Sequence, residues 1–298
     1  MNNNELQLMS CKAGYTVAYN DRSNCEMSEK QLESLSKNWG KVDYKGELSK
    51  QTSRKIAHLL QVWQRTLYIN SLKSNSLQSQ KVRNLVFITL TLSKEQAHDD
   101  NFIKRNLLNT FIIYMARKFD MKNYLWKAEK QKNGSIHFHI VTDVYIKKNL
   151  LNFEWDHIQW THGYLSSRPL NPNTYESPST RIEKICGSDG IYQYMAKYVG
   201  KSDGNGAVKG RCWGCSNSVR ELQDYTFVVD SESMKCVEGL INNSKVEMRI
   251  TDFYVILNKD IFFVLYHQCE FHRYKANMVY ASNYHRLYNS DNVFKPIY

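Results

Sequence analysis

The run Asn84–Leu92, NLVFITLTL, is apolar almost throughout and rich in β-branched side chains, as a strand buried on both faces would be. A chain carrying such a strand must build a sheet around it, and the residues that follow supply the partners. Asp99 or Asp100 can cap a helix reaching about Phe119, with Phe102, Leu108, Phe111, Ile112, Met115 and Phe119 as its buried stripe. Its charged face carries Lys104, Arg105 and Arg117. Two strands come next, about Tyr124–Gln131 and Ser135–Asp143, joined through Lys132-Asn133-Gly134, where Asn and Gly supply the positive φ of a tight hairpin. A second helix, about Leu150–His162, ends at Gly163, Thr180–Cys186 reads as a further strand, and Gly190–Lys201 as a short helix closed by Gly204 and Gly206.

The order β-α-β-β-α-β followed by a helix predicts an α+β fold of the ferredoxin-like or RRM-like kind. In that arrangement an antiparallel sheet carries helices on one face and leaves the other free for a ligand or nucleic acid. Around this core, residues 1–50 read as polar and irregular; Ile56, Leu59, Leu60, Trp63 and Leu67 mark an amphipathic helix, and Ser71–Lys81 a linker. The expected organisation is an N-terminal helical extension over 1–80, a core domain over 81–206, and an α+β region over 207–298 in which 261–267, IFFVLYH, reads as a strand.

Charge narrows the partner. Lys and Arg number 40 against 29 Asp and Glu, a surplus of +11, on a chain with 20 Tyr, 12 Phe and 6 Trp. Such a surface neutralises phosphates and offers rings on which bases stack. The seven cysteines are odd in number and scattered from Cys11 to Cys269, against a secreted disulfide framework. The first residues lack a basic segment leading into an apolar one, and no window reaches membrane-spanning length, so the expectation is a soluble protein of the cytoplasm.

Two constellations can carry chemistry. His137-Phe138-His139 sets two imidazoles on one face of a strand, where they can reach one divalent ion while Phe138 anchors the strand beneath. Whether Glu129 joins them depends on loop parity. A two-residue Asn-Gly turn would set Glu129 opposite Phe138, whereas the odd loop Lys132-Asn133-Gly134 sets it opposite His137. The odd loop is the expectation, giving two His and one carboxylate suited to Mg²⁺ or Mn²⁺ acting on a phosphate. The second constellation is Tyr194-Met-Ala-Lys197-Tyr198-Val-Gly-Lys201, whose helical spacing puts both phenols and both lysines opposite the arc of Ile191, Met195 and Val199. The phenols stand about 6 Å apart along the axis, and neighbouring ammonium groups favour the nucleophilic phenolate. A Cys212-x2-Cys215 pair could bind Zn²⁺ together with two of Cys236, His267, Cys269 and His272.

Taken together, the motifs resemble those of the HUH endonucleases that initiate rolling-circle replication. The resemblance is to the two-tyrosine initiators of microviruses and to replication proteins of related single-stranded phages and small plasmids of Bacteroidota. It rests on FITLTLS at 87–93, on E-x4-G-x2-HFH from Glu129 to His139, and on YMAKYVGK at 194–201, in the family's order. Gly210-Arg211-Cys212-Trp213-Gly214-Cys215-Ser216 is also similar to the G-R-x-W-G-x-S stretch of such proteins, which explains the cysteine segment without zinc and makes Lys209, Arg211 and Trp213 candidate DNA contacts. The resemblance implies that 81–206 is the endonuclease domain, that His137, His139 and Glu129 hold the metal, and that Tyr194 and Tyr198 are nucleophiles accompanied by Lys197 and Lys201. It implies nicking of single-stranded DNA at a replication origin through a 5′-phosphotyrosine, with the free 3′-OH priming a host polymerase. Tyr198, nearer the apolar arc, is the choice for the first nick.

No G-x4-G-K-[ST] segment is present, so no nucleotide cofactor is expected and unwinding falls to a host helicase or supercoiling. Two rival readings remain: a transposase or relaxase using the same site, and a nucleic-acid-binding protein without catalysis. Relaxases usually place the histidine motif after the tyrosine, opposite to the order found here. A non-catalytic protein would bind DNA equally well in EDTA and after both Tyr→Phe changes.

Overall fold

The computed structural model describes residues 5–11, 14–20, 48–76, 84–185, 206–225, 227–229, 248–250, 254–257 and 262–289, with isolated positions between. In chain order the first elements are strands β1 (Glu5–Cys11) and β2 (Gly14–Asn20), helix α1 (Lys50–Ser76) and strand β3 (Val86–Leu90). A helical stretch then begins as Asp100–Phe102, passes through a π segment, Ile103–Leu108, and continues as α2 (Asn109–Phe119). Strands β4 (Tyr124–Lys130) and β5 (Ile136–Thr142), helix α3 (Lys148–Thr161), strands β6 (Thr180–Lys184) and β7 (Trp213–Cys215) and helix α4 (Asn217–Arg220) follow. The last are β8 (Phe227–Val229), β9 (Met248–Ile250), β10 (Tyr254–Leu257), α5 (Phe262–Gln268), α6 (Glu270–Tyr284) and a π turn, His285–Asn289.

The chain forms two compact units, residues 1–44 with 223–282 and residues 45–222 with 283–298. The first holds an antiparallel sheet in the order β8-β1-β2-β10-β9. The expectation of an irregular start is therefore corrected: β1 and β2 are strands. They complete a sheet with segments more than 200 residues later, a pairing that no local pattern announces. The run at 261–267 is likewise corrected, from strand to helix α5, which buries Phe262, Leu265 and Tyr266 at the i, i+3, i+4 spacing of one helix face.

The second unit is an α+β fold whose sheet runs β6-β3-β5-β4-β7, all neighbours antiparallel. Its first four strands have the ferredoxin-like order, and β7 extends the β4 edge. Asp99 caps the helix after β3, accepting from the Phe102 amide at 2.7 Å, and Asp120 ends α2 in the left-handed conformation at φ 58°. Even-numbered residues of the central strands, Ile88, Leu90, Trp126, Phe138 and Ile140 among them, pack in one core with Phe111 of α2 and Trp155 of α3. The rings of Phe111 and Trp155 meet edge to face at 5.8 Å.

The odd-numbered face is the one expected to be free, and the structure corrects that expectation. Ile56, Leu59, Leu60, Trp63 and Leu67 of α1 form a second core with Leu85, Phe87, Leu125 and Val141. Five apolar residues at helical spacing need a surface to bury against, and the apolar odd-numbered positions of the sheet provide it. Helix α1 is thus a layer of this unit, and it continues to Ser76 through part of the expected linker. Trp63 is completely buried, so Trp63→Ala is expected to cost about 3–5 kcal/mol in denaturant unfolding of the full chain. A loss below about 1 kcal/mol would mean that α1 is not part of the core.

Candidate metal centre

The hairpin sets the site. Gly134 adopts φ +80°, the Gly134 amide donates to the Gln131 carbonyl, and the Gln131 amide to the Ser135 carbonyl, each at 2.9 Å, enclosing Lys132-Asn133-Gly134 as a three-residue loop. The odd loop fixes the expected register: Glu129 lies opposite His137 and Lys127 opposite His139. Directly opposed residues of an antiparallel pair share a face, so Glu129, His137 and His139 all point to the odd-numbered side.

There Glu129 Oε1 stands 2.7 Å from His137 Nε2 and 2.7 Å from His139 Nε2, and the two Nε2 atoms are 2.9 Å apart. Among the described residues this is the one group of three or more His, Cys, Asp and Glu side chains so placed. Adjacent ligand atoms in an octahedral shell of about 2.1 Å radius are about 3.0 Å apart, so the triangle fits three neighbouring corners of one divalent ion. Two imidazole nitrogens and a carboxylate oxygen are also a donor set for Mg²⁺-like or Mn²⁺-like ions.

The surroundings hold the triangle in place. Lys127 Nζ donates to Glu129 Oε2 at 2.9 Å, turning the other oxygen toward the imidazoles. Thr89 Oγ1 lies 3.2 Å from His139 Nδ1, and the Phe87 ring stacks on that imidazole at 5.2 Å. Gln96 Oε1 accepts from the Ile136 amide at 2.7 Å while its Nε2 donates to Asp100 Oδ1 at 2.8 Å, tying the strand beside His137 to the start of the next helix. Thr89 reads in the sequence as an ordinary strand residue, and Lys127 and Gln96 carry no signal there as site residues. The β3–β5 register places Thr89 directly across from His139, a relation that appears once the strands are paired.

Burial pushes the His139 imidazole below its ordinary value of 6.5, with His137 and Lys127 adding to the effect and Glu129 opposing it. It therefore stays neutral, and able to coordinate, at a pH where a free imidazole is protonated. The stability consequence follows by linkage. As pH falls below about 6.5 the unfolded chain takes up a proton that the folded chain refuses, so stability present above that value is lost on the way down to the depressed folded value. Melting temperatures at about pH 7.5 and about pH 5.5 should differ less in His139→Asn than in the wild-type chain. An equal difference would contradict the burial effect.

Asp100 makes a second charged group on the opposite face. Burial raises its carboxyl, but Lys130, Gln96 and the Lys209 amide outweigh this and hold it below the usual carboxylate range. Lys130 Nζ lies 2.6 Å from Asp100 Oδ1, and the Lys209 amide donates to Oδ2 at 2.9 Å. Lys104 Nζ donates to the Lys209 and Arg211 carbonyls. These contacts fix the segment that enters β7. Gly210 takes φ +72°, and a Cβ on Gly214 would come 2.8 Å from the Trp126 indole nitrogen, so both glycines of that segment have structural work.

Of the expected DNA contacts, Lys209 and Arg211 are exposed, and Trp213 stands opposite Lys127 in the β4–β7 register, on the same side as the triad. A row Arg181, Thr89, His139, Lys127, Trp213 crosses the five strands. Cys212 and Cys215 pack in the cores on opposite faces of the sheet, as i and i+3 of an extended segment must, and so do not converge on one ion. Tyr194, Lys197, Tyr198 and Lys201 lie outside the described residues. No helix among the described residues is long and apolar enough to cross a membrane.

Fold and site together define an α+β protein with a candidate divalent-cation centre at the hairpin end of its sheet. Residues 85–203, which run from the start of β3 past β6 and contain the triad, match the model of the family described as Replication-associated protein ORF2. That match supports a role in initiating replication. No curated protein and no solved structure matches the chain.

Proposed function

We propose that the chain is a rolling-circle replication initiator that nicks and rejoins single-stranded DNA at an origin through a tyrosine. The observation that carries this reading is the convergence of Glu129 Oε1, His137 Nε2 and His139 Nε2 within 2.9 Å of one another, inside the stretch that matches the replication-associated family. Mg²⁺ or Mn²⁺ held by those three atoms supplies Lewis-acid polarisation of the scissile phosphate.

The chain's own residues do the rest. Lys197 and Lys201 favour the phenolate and draw the phosphate toward the tyrosine helix. Tyr198 Oη attacks phosphorus as the P–O3′ bond opposite it breaks, so the 5′-phosphate passes to the protein and the departing 3′-oxygen takes up a proton. The bond energy is kept in the phosphotyrosine, and Tyr194 repeats the attack on the regenerated junction. Cleavage and rejoining then alternate without a nucleotide cofactor. Trp213 offers a ring for a base to stack on, and Lys209 and Arg211 offer charges for the backbone. A host helicase unwinds and a host polymerase extends the free 3′-OH, in the cytoplasm of a bacterium carrying the phage or plasmid.

The test is incubation of the full chain with single-stranded origin DNA. A covalent protein–DNA adduct should form with Mn²⁺ or Mg²⁺ and vanish in EDTA. Binding with no adduct in any of these ions would contradict the proposal and favour a non-catalytic DNA-binding protein.

A further inference from the structure

We propose that Thr89 is a positioning residue for the metal centre, fixing His139 in the form whose Nε2 is free to coordinate. The inference rests on the metal-centre reading above and deepens it. His139 is buried, with 2% of its surface exposed, and its ring is held from three sides. Phe87 stacks on it with an interplanar angle of 21°, Nε2 faces Glu129 and His137, and Nδ1 faces Thr89 Oγ1 at 3.2 Å. A neutral imidazole carries one hydrogen. If Nε2 is to present its lone pair to a cation, that hydrogen must sit on Nδ1, where a buried donor without an acceptor costs free energy. Thr89 Oγ1 is the acceptor within reach.

The position follows from the fold. Thr89 and His139 are a directly opposed pair of neighbouring strands, so the contact is set by backbone register and exists before any ion arrives. The other histidine differs: His137 Nδ1 is buried and has no hydrogen-bond partner among the described residues. The triad is therefore asymmetric, with His139 oriented by the protein and His137 placed by its strand alone. Loss of the Thr89 hydroxyl should weaken metal binding, whereas its methyl contributes only packing.

The experiment is calorimetric titration of Mn²⁺ into the full-length chain and its Thr89→Val, Thr89→Ala and Thr89→Ser variants, with melting temperatures measured alongside. Valine keeps the shape and suits a strand, so its melting temperature should stay at the wild-type value while Mn²⁺ affinity falls about 10–100-fold. Serine should restore affinity to within about threefold, and alanine should behave as valine does, which keeps the comparison sound if valine packs poorly. Wild-type affinity in Thr89→Val, or a serine variant as weak as valine, overturns the role of Thr89 and leaves the metal centre standing. Failure of the underlying reading looks different: a His137→Ala/His139→Ala chain would then titrate like the wild type, and the proposal would fall with it.

Discussion

Replacing His137 and His139 together by alanine should lower single-turnover cleavage of origin DNA at least about a thousandfold, while circular dichroism shows the chain still folded. The magnitude follows from the several kcal/mol of charge stabilisation at a polarised phosphate, at about 1.4 kcal/mol per tenfold. Folding should survive because the side chains sit at the hairpin end of the sheet, with Phe138 between them completely buried in the opposite core. The alternating strand separates function from stability, residue by residue. Adding Mn²⁺ in excess should not rescue the double variant, since only one ligand remains. Cleavage within about tenfold of the wild type would place the chemistry elsewhere in the chain.

The second large effect concerns the tyrosines. Tyr194→Phe/Tyr198→Phe should abolish covalent attachment to DNA, a loss of at least about ten-thousandfold, because no other positioned nucleophile can accept the 5′-phosphate. The single variants should then divide the reaction. Tyr198→Phe should lose the first nick, whereas Tyr194→Phe should nick once and fail to resolve the regenerated junction. Mn²⁺ binding should be unchanged in all three, since the triad lies on β4 and β5. An adduct that persists in the double variant would rule out a tyrosine link at these positions.

Much of the core unit was legible in the sequence because its signals are local. Asp99 followed by an apolar helical stripe announced a cap, and the capping bond is there. Lys132-Asn133-Gly134 fixed the loop parity, and the parity alone decided that Glu129 would face the histidines. Long-range relations were not legible. Residues 56–67 showed an amphipathic helix but not the surface it would cover, so the odd-numbered face of the sheet read as open when α1 packs on it. β1 and β2 pair with strands near the other end of the chain, and a short apolar run such as 261–267 suits either a buried strand or a helix until its neighbours are known. Thr89 shows the same limit within the site: on its own strand it is one of two threonines, and its partner becomes visible once β3 is aligned with β5.

The placement of α1 also bears on how DNA would reach the centre. The row Glu183, Phe87, Val141, Leu125, Cys215 lies one step inward from the row containing His139, and all of its members except Glu183 share a core with α1. Access for a strand is therefore confined to the hairpin end, where Glu129 and His137 are only partly buried. A polyanion approaching there meets Lys127 beside the triad and Trp213 at the sheet edge, which gives the surplus of +11 a local use.

The most direct measurement is mass spectrometry of the peptide that carries DNA after a nick trapped with Mn²⁺ on single-stranded origin DNA. A nucleotide linked by its 5′-phosphate to Tyr198 or Tyr194 is the predicted result. DNA linked to any other residue, or cleaved strands with no protein attached, would contradict the proposed chemistry.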